Sequence, residues 1–316
     1  VAVSIVAVAV AALLAIPGGA QVTYPTRDIT LVVQAAPGGA SDYVSRLVAA
    51  QVAPILGVRI NVINRVGGAG AVGMGSVKAS RPDGYTIGYV PVELSMLKHL
   101  GLADLHPDDF DLLMRANVLP AGLTVHADSP YRTVADFVAA ARARPGELTV
   151  GNSGPGSIWH VAAASLERAT GIRVRHVPFD GAAPAITALL GGRLAAVTVS
   201  PSEVLPHVEA GRLRTLAVMG EQRFALMLDV PTMREAGHDV VVMAWGGFAL
   251  PKGTPAEILD ILHRAFRRGY ATSEVQRGLI ARGIEPGYLP PAEFKKFALA
   301  QYEMFGRLMR DLGLAR

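Results

Sequence analysis

From Ile29 to Met219 the chain alternates short runs of β-branched and aliphatic residues with longer segments whose apolar positions recur at helical spacing, and the corners between them are rich in glycine. That alternation implies parallel sheets assembled from βαβ units. Ile29 to Gln34 reads as the first strand. The turn Ala36-Pro37-Gly38-Gly39-Ala40-Ser41-Asp42 then opens a helix whose apolar residues Val44, Leu47, Val48 and Ile55 follow helical spacing. Arg59 to Asn64 is the next strand and Gly67-Gly68-Ala69-Gly70 a second glycine-rich turn. A helix through Val77 and a strand at Thr86 to Val90 complete this series.

A second series begins after Pro120. Thr133-Val134-Ala135-Asp136 has the form of a capping box and predicts a helix to Arg144. Leu148 to Gly151 is a strand, Asn152-Ser153-Gly154-Pro155-Gly156-Ser157 its turn, and the helix from Ile158 to Thr170 should stop on a left-handed Gly171. Further strands are expected at Arg173 to Val177, Ala195 to Val199 and Thr215 to Met219. From Thr254 the pattern is helical: Thr254 as N-cap, Pro255 at the first helical position and Glu257 at the third, a signal repeated at Ser273 to Gln276. Three consecutive helices with no strand between them are predicted to return and pack on the first lobe.

With 316 residues the chain exceeds one core of ordinary size, which favours two α/β lobes. A hydrophobic content of 51% against 18% charged residues excludes disorder and suits strands covered on both faces. The net charge of +4 is dispersed and no basic run interleaves with aromatics, so no nucleic-acid partner is expected; a monomer is. Absence of cysteine removes disulfides, thiolate nucleophiles and Cys-based zinc sites. Val1 to Ile16 is almost wholly apolar and Pro17-Gly18-Gly19-Ala20 breaks it with small residues, which predicts a signal peptide over residues 1–20 and export to the periplasm. That run is shorter than the roughly 20 apolar residues a bilayer span needs.

Three turns share one design, in which small residues expose the backbone just before a helix: Gly38-Gly39-Ala40-Ser41-Asp42, Gly154-Pro155-Gly156-Ser157 and Asp180-Gly181-Ala182-Ala183-Pro184. A helix N-terminus offers unpaired N–H groups and partial positive charge, so such turns can hold an anion without an arginine. Any single glycine-rich turn serves equally to make a corner. Recurrence in both halves is what points to a carboxylate clamp between two lobes.

The competing enzyme reading is Gly68-Ala69-Gly70-Ala71-Val72-Gly73, which satisfies G-x-G-x-x-G with Glu93 further on and would make the chain an NAD-dependent oxidoreductase. It follows the second strand, though, and Arg65 to Gly67 separate it from that strand. Gly151-Asn152-Ser153-Gly154-Pro155 misses the nucleophile-elbow pattern at its fifth residue. Ser157 and His160 lie three apart, where a capping serine and a partly buried histidine account for them. The eight histidines show no metal-ligand spacing, so neither a metal nor a cofactor is expected. Trp159, Trp245 and Phe248 are candidates for a cleft wall or for core.

Taken together, the motifs resemble the Bug-type receptors, the extracytoplasmic solute-binding proteins of tripartite tricarboxylate transporters. The likeness rests on Tyr24-Pro25, Gly38-Gly39-Ala40-Ser41-Asp42, Asn64-Arg65-Val66-Gly67-Gly68-Ala69-Gly70, Pro82-Asp83-Gly84-Tyr85-Thr86 and His176-Val177-Pro178-Phe179-Asp180-Gly181, and continues through Val230-Pro231-Thr232 to Pro251-Lys252-Gly253-Thr254-Pro255. The resemblance implies two Rossmann-like lobes of the periplasmic-binding-protein type, residues 21–122 with 246–316 and residues 123–245, joined by two crossings and closing on a ligand. It implies no enzymatic activity, a small organic acid or zwitterion as ligand, and the membrane components of such a transporter as partner. Its matching positions are Gly38, Gly39, Ala40, Ser41 and Asp42 in the first lobe and Ser153, Gly154, Ser157, Asp180, Gly181 and Ala183 in the second. The chain departs from the family at Gln34-Ala35, where Pro-Phe is usual, at Asp180, where lysine is common, and at Ala195-Ala196, where an acid is frequent. An acid in place of a base makes a highly charged tricarboxylate a poorer candidate than a mono- or dicarboxylate or a zwitterion.

Overall fold

The computed structural model describes residues 23–315, so the predicted leader at residues 1–20 lies outside them. Its elements run β1 (Ile29–Val33), α1 (Ala40–Leu56), β2 (Ile60–Asn64), α2 (Ala71–Lys78), β3 (Thr86–Pro91), β4 (Phe110–Pro120), β5 (Gly122–His126), α3 (Val134–Ala143), β6 (Thr149–Asn152) and α4 (Ile158–Thr170). They continue with β7 (Arg175–Pro178), α5 (Ala182–Leu190), β8 (Ala196–Val199), α6 (Pro201–Glu209), β9 (Leu213–Val218), β10 (Met243–Pro251), α7 (Ala256–Tyr270), α8 (Ser273–Ala281), β11 (Glu285–Leu289) and α9 (Pro291–Asp311).

The strands form two sheets, β11-β4-β10-β3-β1-β2 and β7-β6-β8-β5-β9, each the floor of one α/β lobe. β1 lies parallel to both β2 and β3, and β6 parallel to both β7 and β8. The inner strand β1 is mostly apolar, and its Ile29, Leu31 and Val33 are fully buried, as a strand covered by helices on both faces requires. The edge strand β2 shows only partial burial.

The chain passes from the first sheet to the second between β4 and β5, through Ala121 alone, and returns where Val242 precedes β10. The two crossings are hydrogen-bonded together. Ala121 N–H donates to the Val242 carbonyl at 2.9 Å, Val242 N–H to that of Met219 at 2.8 Å, and Met219 N–H to that of Ala121 at 2.7 Å.

Two local signals hold in detail. Thr133 and Asp136 form a reciprocal capping box at α3, and Gly171, at φ 66°, closes α4 in the left-handed conformation. The C-terminal region differs from the helical pattern. The expected run of three helices is interrupted by β11, which pairs antiparallel with β4; its Pro286 and Gly287, residues poor in strands, concealed it. Thr254 does not cap α7: its hydroxyl donates to the Pro251 carbonyl at 2.8 Å, and Pro255 takes the cap position. Thr272 rather than Ser273 caps α8. The segment does return to the first lobe, where Gly269 of α7 lies against Val52 of α1 and Phe294 of α9 fills the space beside Gly247 of β10.

Candidate functional site

The lobes touch where β3 ends. A short 3-10 turn, Val92–Ser95, follows that strand, and the Glu93 carboxylate accepts the N–H of Ile158, the first residue of α4 in the second lobe, at 3.4 Å. Leu100 and Leu102 close over Gly156, where an added Cβ would stand 2.7 Å from a Leu102 methyl. Further out, Arg168 of α4 pairs with Asp311 of α9 at 2.9 Å. The turns that follow β1, β6 and β7 lie at the carboxyl ends of their strands, where ligands characteristically bind in open α/β sheets.

In the first lobe Gly38 is left-handed at φ 85° and Gly39 is the N-cap of α1, with no side chain closing the helix end. Both glycines are exposed. A side chain at Gly38 would meet nothing within 4 Å, and one at Gly39 only the Ala36 carbonyl at 3.6 Å. Asp42 is turned inward and buried, accepting from the Gly38 N–H at 3.0 Å, Arg46 Nε at 3.0 Å and Asn64 Nδ2 at 2.9 Å. Burial pushes its carboxyl up, but the bonds from Arg46, Gly38 and Asn64 outweigh it and hold Asp42 below the usual range. It braces the turn from beneath. Ser41 Oγ accepts from Gln34 Nε2 at 3.1 Å, and Ala40 is half-buried in the first turn of the helix.

In the second lobe Ser157 donates to the Gly154 carbonyl at 2.8 Å and accepts the His160 N–H at 3.2 Å, so its hydroxyl is consumed by capping α4. It meets the His160 backbone, not the ring. That ring accepts the Gly156 N–H at Nδ1, and burial, aided by neighbouring His176, lowers its pKa. Asn152 Oδ1 accepts the Gly154 N–H at 3.0 Å, while Asn152 Nδ2 and Ser153 Oγ are buried without a partner among the described residues. Gly154, at φ 100°, packs against the Phe179 carbonyl. Gly181 is the N-cap of α5 at φ 113°, again with no side-chain cap and nothing within 4 Å of an added Cβ. Asp180 and Ala183 are exposed beside it.

The structure packs the turns after β6 and β7 against each other, Gly154 lying on the Phe179 carbonyl, while Asp42 and Ser157 are occupied within their own turns. Glu93, read from sequence only as a nucleotide-motif acid, stands instead at the lobe interface. The motif itself is packing: a Cβ on Gly73 would lie 2.7 Å from Gln34 Cα and 2.8 Å from the Arg65 carbonyl, and one on Gly70 2.8 Å from Gln34 Cγ. These glycines let α2 press on the end of β1 and leave no bed for a pyrophosphate. Trp159, Trp245 and Phe248 are buried core residues, not cleft walls. Among the described residues no group of three or more His, Asp or Glu is arranged to hold a metal. A shallow groove between α1 and β2 carries Arg46 and Arg59, but both are already paired with aspartates and no helix N-terminus lines it.

Comparison with known proteins gives a consistent picture. The family model described as tripartite tricarboxylate transporter family receptor matches residues 44–314. Protein BugT of Bordetella pertussis is 28% identical over 298 residues, covering 92% of this chain and 91% of that protein. A ligand-free TctC solute binding protein from Polaromonas is 37% identical with a TM-score of 0.75, covering 92% of this chain and 100% of the other. An R. palustris protein solved with adipate is 29% identical with a TM-score of 0.86, covering 92% and 99%. At lower identity, the adipate-bound structure superposes more closely.

Proposed function

The chain belongs to the receptors of the tripartite tricarboxylate transporter family, and from that footing we propose that it captures a small carboxylate between its lobes and delivers it to the membrane components of such a transporter. One observation carries the ligand class. α1 and α5, one in each lobe, both begin at a glycine that, among the described residues, has no side-chain cap and open space above it. Free N–H groups and the partial positive end of each helix suit a carboxylate oxygen. The adipate bound by the R. palustris relative supports this class. Gly38, Gly39, Ala40, Ser41, Ser153, Gly154, Gly181 and Ala183 are the proposed contacts, with Asp42 and Ser157 shaping their turns.

The protein is exported, as a member of a periplasmic solute-binding family. A cleaved leader over residues 1–20 and a monomeric receptor complete the proposal. The topology supports lobe limits at Ala121 and Val242, within a few residues of those read from sequence.

Screening small organic acids against sugars and uncharged amides by thermal shift tests the ligand class. A carboxylate at a hundred times its Kd should raise the Tm by roughly 5 °C. A response confined to sugars would end the proposal.

A further inference from the structure

Glu93 is an acid for which the carboxylate clamp alone has no use. It sits at the meeting of the lobes, half-buried, and its interactions are its own backbone N–H and that of Ile158; among the described residues no arginine, lysine or histidine neutralises it. Removing a carboxylate from water without a counter-ion is costly, and burial pushes this carboxyl above its ordinary value. Its contact with Ile158 places the charge at the positive end of α4, a helix of 13 residues. The α4 N-terminus is therefore served by the protein's own carboxylate, leaving the α1 and α5 ends for the ligand's. Both donors to Glu93 are backbone N–H groups, and among the described residues no side chain donates to either of its oxygens. A second acid, exposed Asp180, directly precedes the Gly181 cap of α5 in the opposite lobe, without an ion-pair partner among the described residues.

A bare dianion brought between these acids meets like charge, whereas a ligand with an ammonium group beside its carboxylate places a cation against Glu93. We propose that Glu93 is the specificity-determining residue of the cleft and selects carboxylates that also carry an ammonium group, that is, amino acids. This rests on the carboxylate reading of α1 and α5 and narrows it.

The test uses pairs of acids that differ only by an amino group: aspartate with succinate, glutamate with glutarate, and 4-aminobutyrate with butyrate. Each is titrated calorimetrically into the mature receptor and into Glu93→Gln, with the fold of the variant checked by its melting curve. At least one amino member should bind the wild type about tenfold or more tightly than its twin, and Glu93→Gln should erase that preference. If the amino-free acids bind equally or better, or if Glu93→Gln keeps the preference, Glu93 does not select the ligand and the receptor reading stands. Where Glu93→Gln does not fold, the wild-type pairs alone decide. Should no member of any pair bind, the carboxylate reading fails and this inference falls with it.

Discussion

The Gly38 N–H donates to the Asp42 carboxylate at 3.0 Å, so the first-lobe turn is tied to the helix it opens by a buried residue. Asp42→Ala strands three donors, Gly38 N–H, Arg46 Nε and Asn64 Nδ2, and should destabilise the protein by about 1–3 kcal/mol while blunting its response to ligand. The pH dependence follows from the depressed carboxyl. Its stabilisation is complete above the unfolded value of about 3.9 and is lost as pH falls through the lower folded value. Urea denaturation at neutral pH and below about pH 4 should show wild type losing stability that Asp42→Asn has already lost.

Gly39→Val is a cleaner probe of the cleft than Gly181→Val. Gly39 has φ −72° and ψ 171°, a conformation any residue adopts, with open space above it; Gly181 has φ 113°, where a valine is strained whatever the space. Gly39→Val should fold with a loss of about 1 kcal/mol or less and abolish the thermal response to carboxylates. A folded Gly39→Val that still responds fully would move the site elsewhere.

Gly73→Ala tests whether the G-x-G-x-x-G turn is packing. The new methyl would press on backbone at Gln34 and Arg65, so about 1–3 kcal/mol of stability should be lost in denaturant melts. Wild-type stability in this variant would refute the close approach of α2 to β1.

Burial holds the Glu203 carboxyl up to about 7, against the opposing bond from the Ser200 N–H at 3.0 Å. Since the folded state favours the protonated acid, its contribution is full below the unfolded value of about 4.5 and is lost as pH rises through about 7. Glu203→Gln keeps the capping box, so its stability relative to wild type should grow from about pH 5 to about pH 8 in paired melts. A difference independent of pH would show that Glu203 titrates normally.

The parallel strands and their turns were legible because their signals are local: an apolar run, a glycine, a capping residue. β11 was not, since a strand carrying Pro286 and Gly287 forms only because β4 offers it a neighbour. For the site, Gly39 and Gly181 could be read from spacing, as a cap position needs no distant partner. Asp42 could not be assigned a direction, because Arg46 and Asn64 turn it inward from elsewhere in the fold. Glu93 could not be placed from spacing for the same reason; its partner Ile158 is 65 positions away in the chain.

The bonds that join Ala121, Met219 and Val242 give the passage between the lobes the character of a narrow woven strap rather than two loose threads. Such a strap flexes across its width yet resists skewing and sliding, so opening the lobes would amount to a swing about one axis. Turns parted by such a swing would return to the same registration when they met again. A ligand that draws them together therefore need not also pay for aligning them.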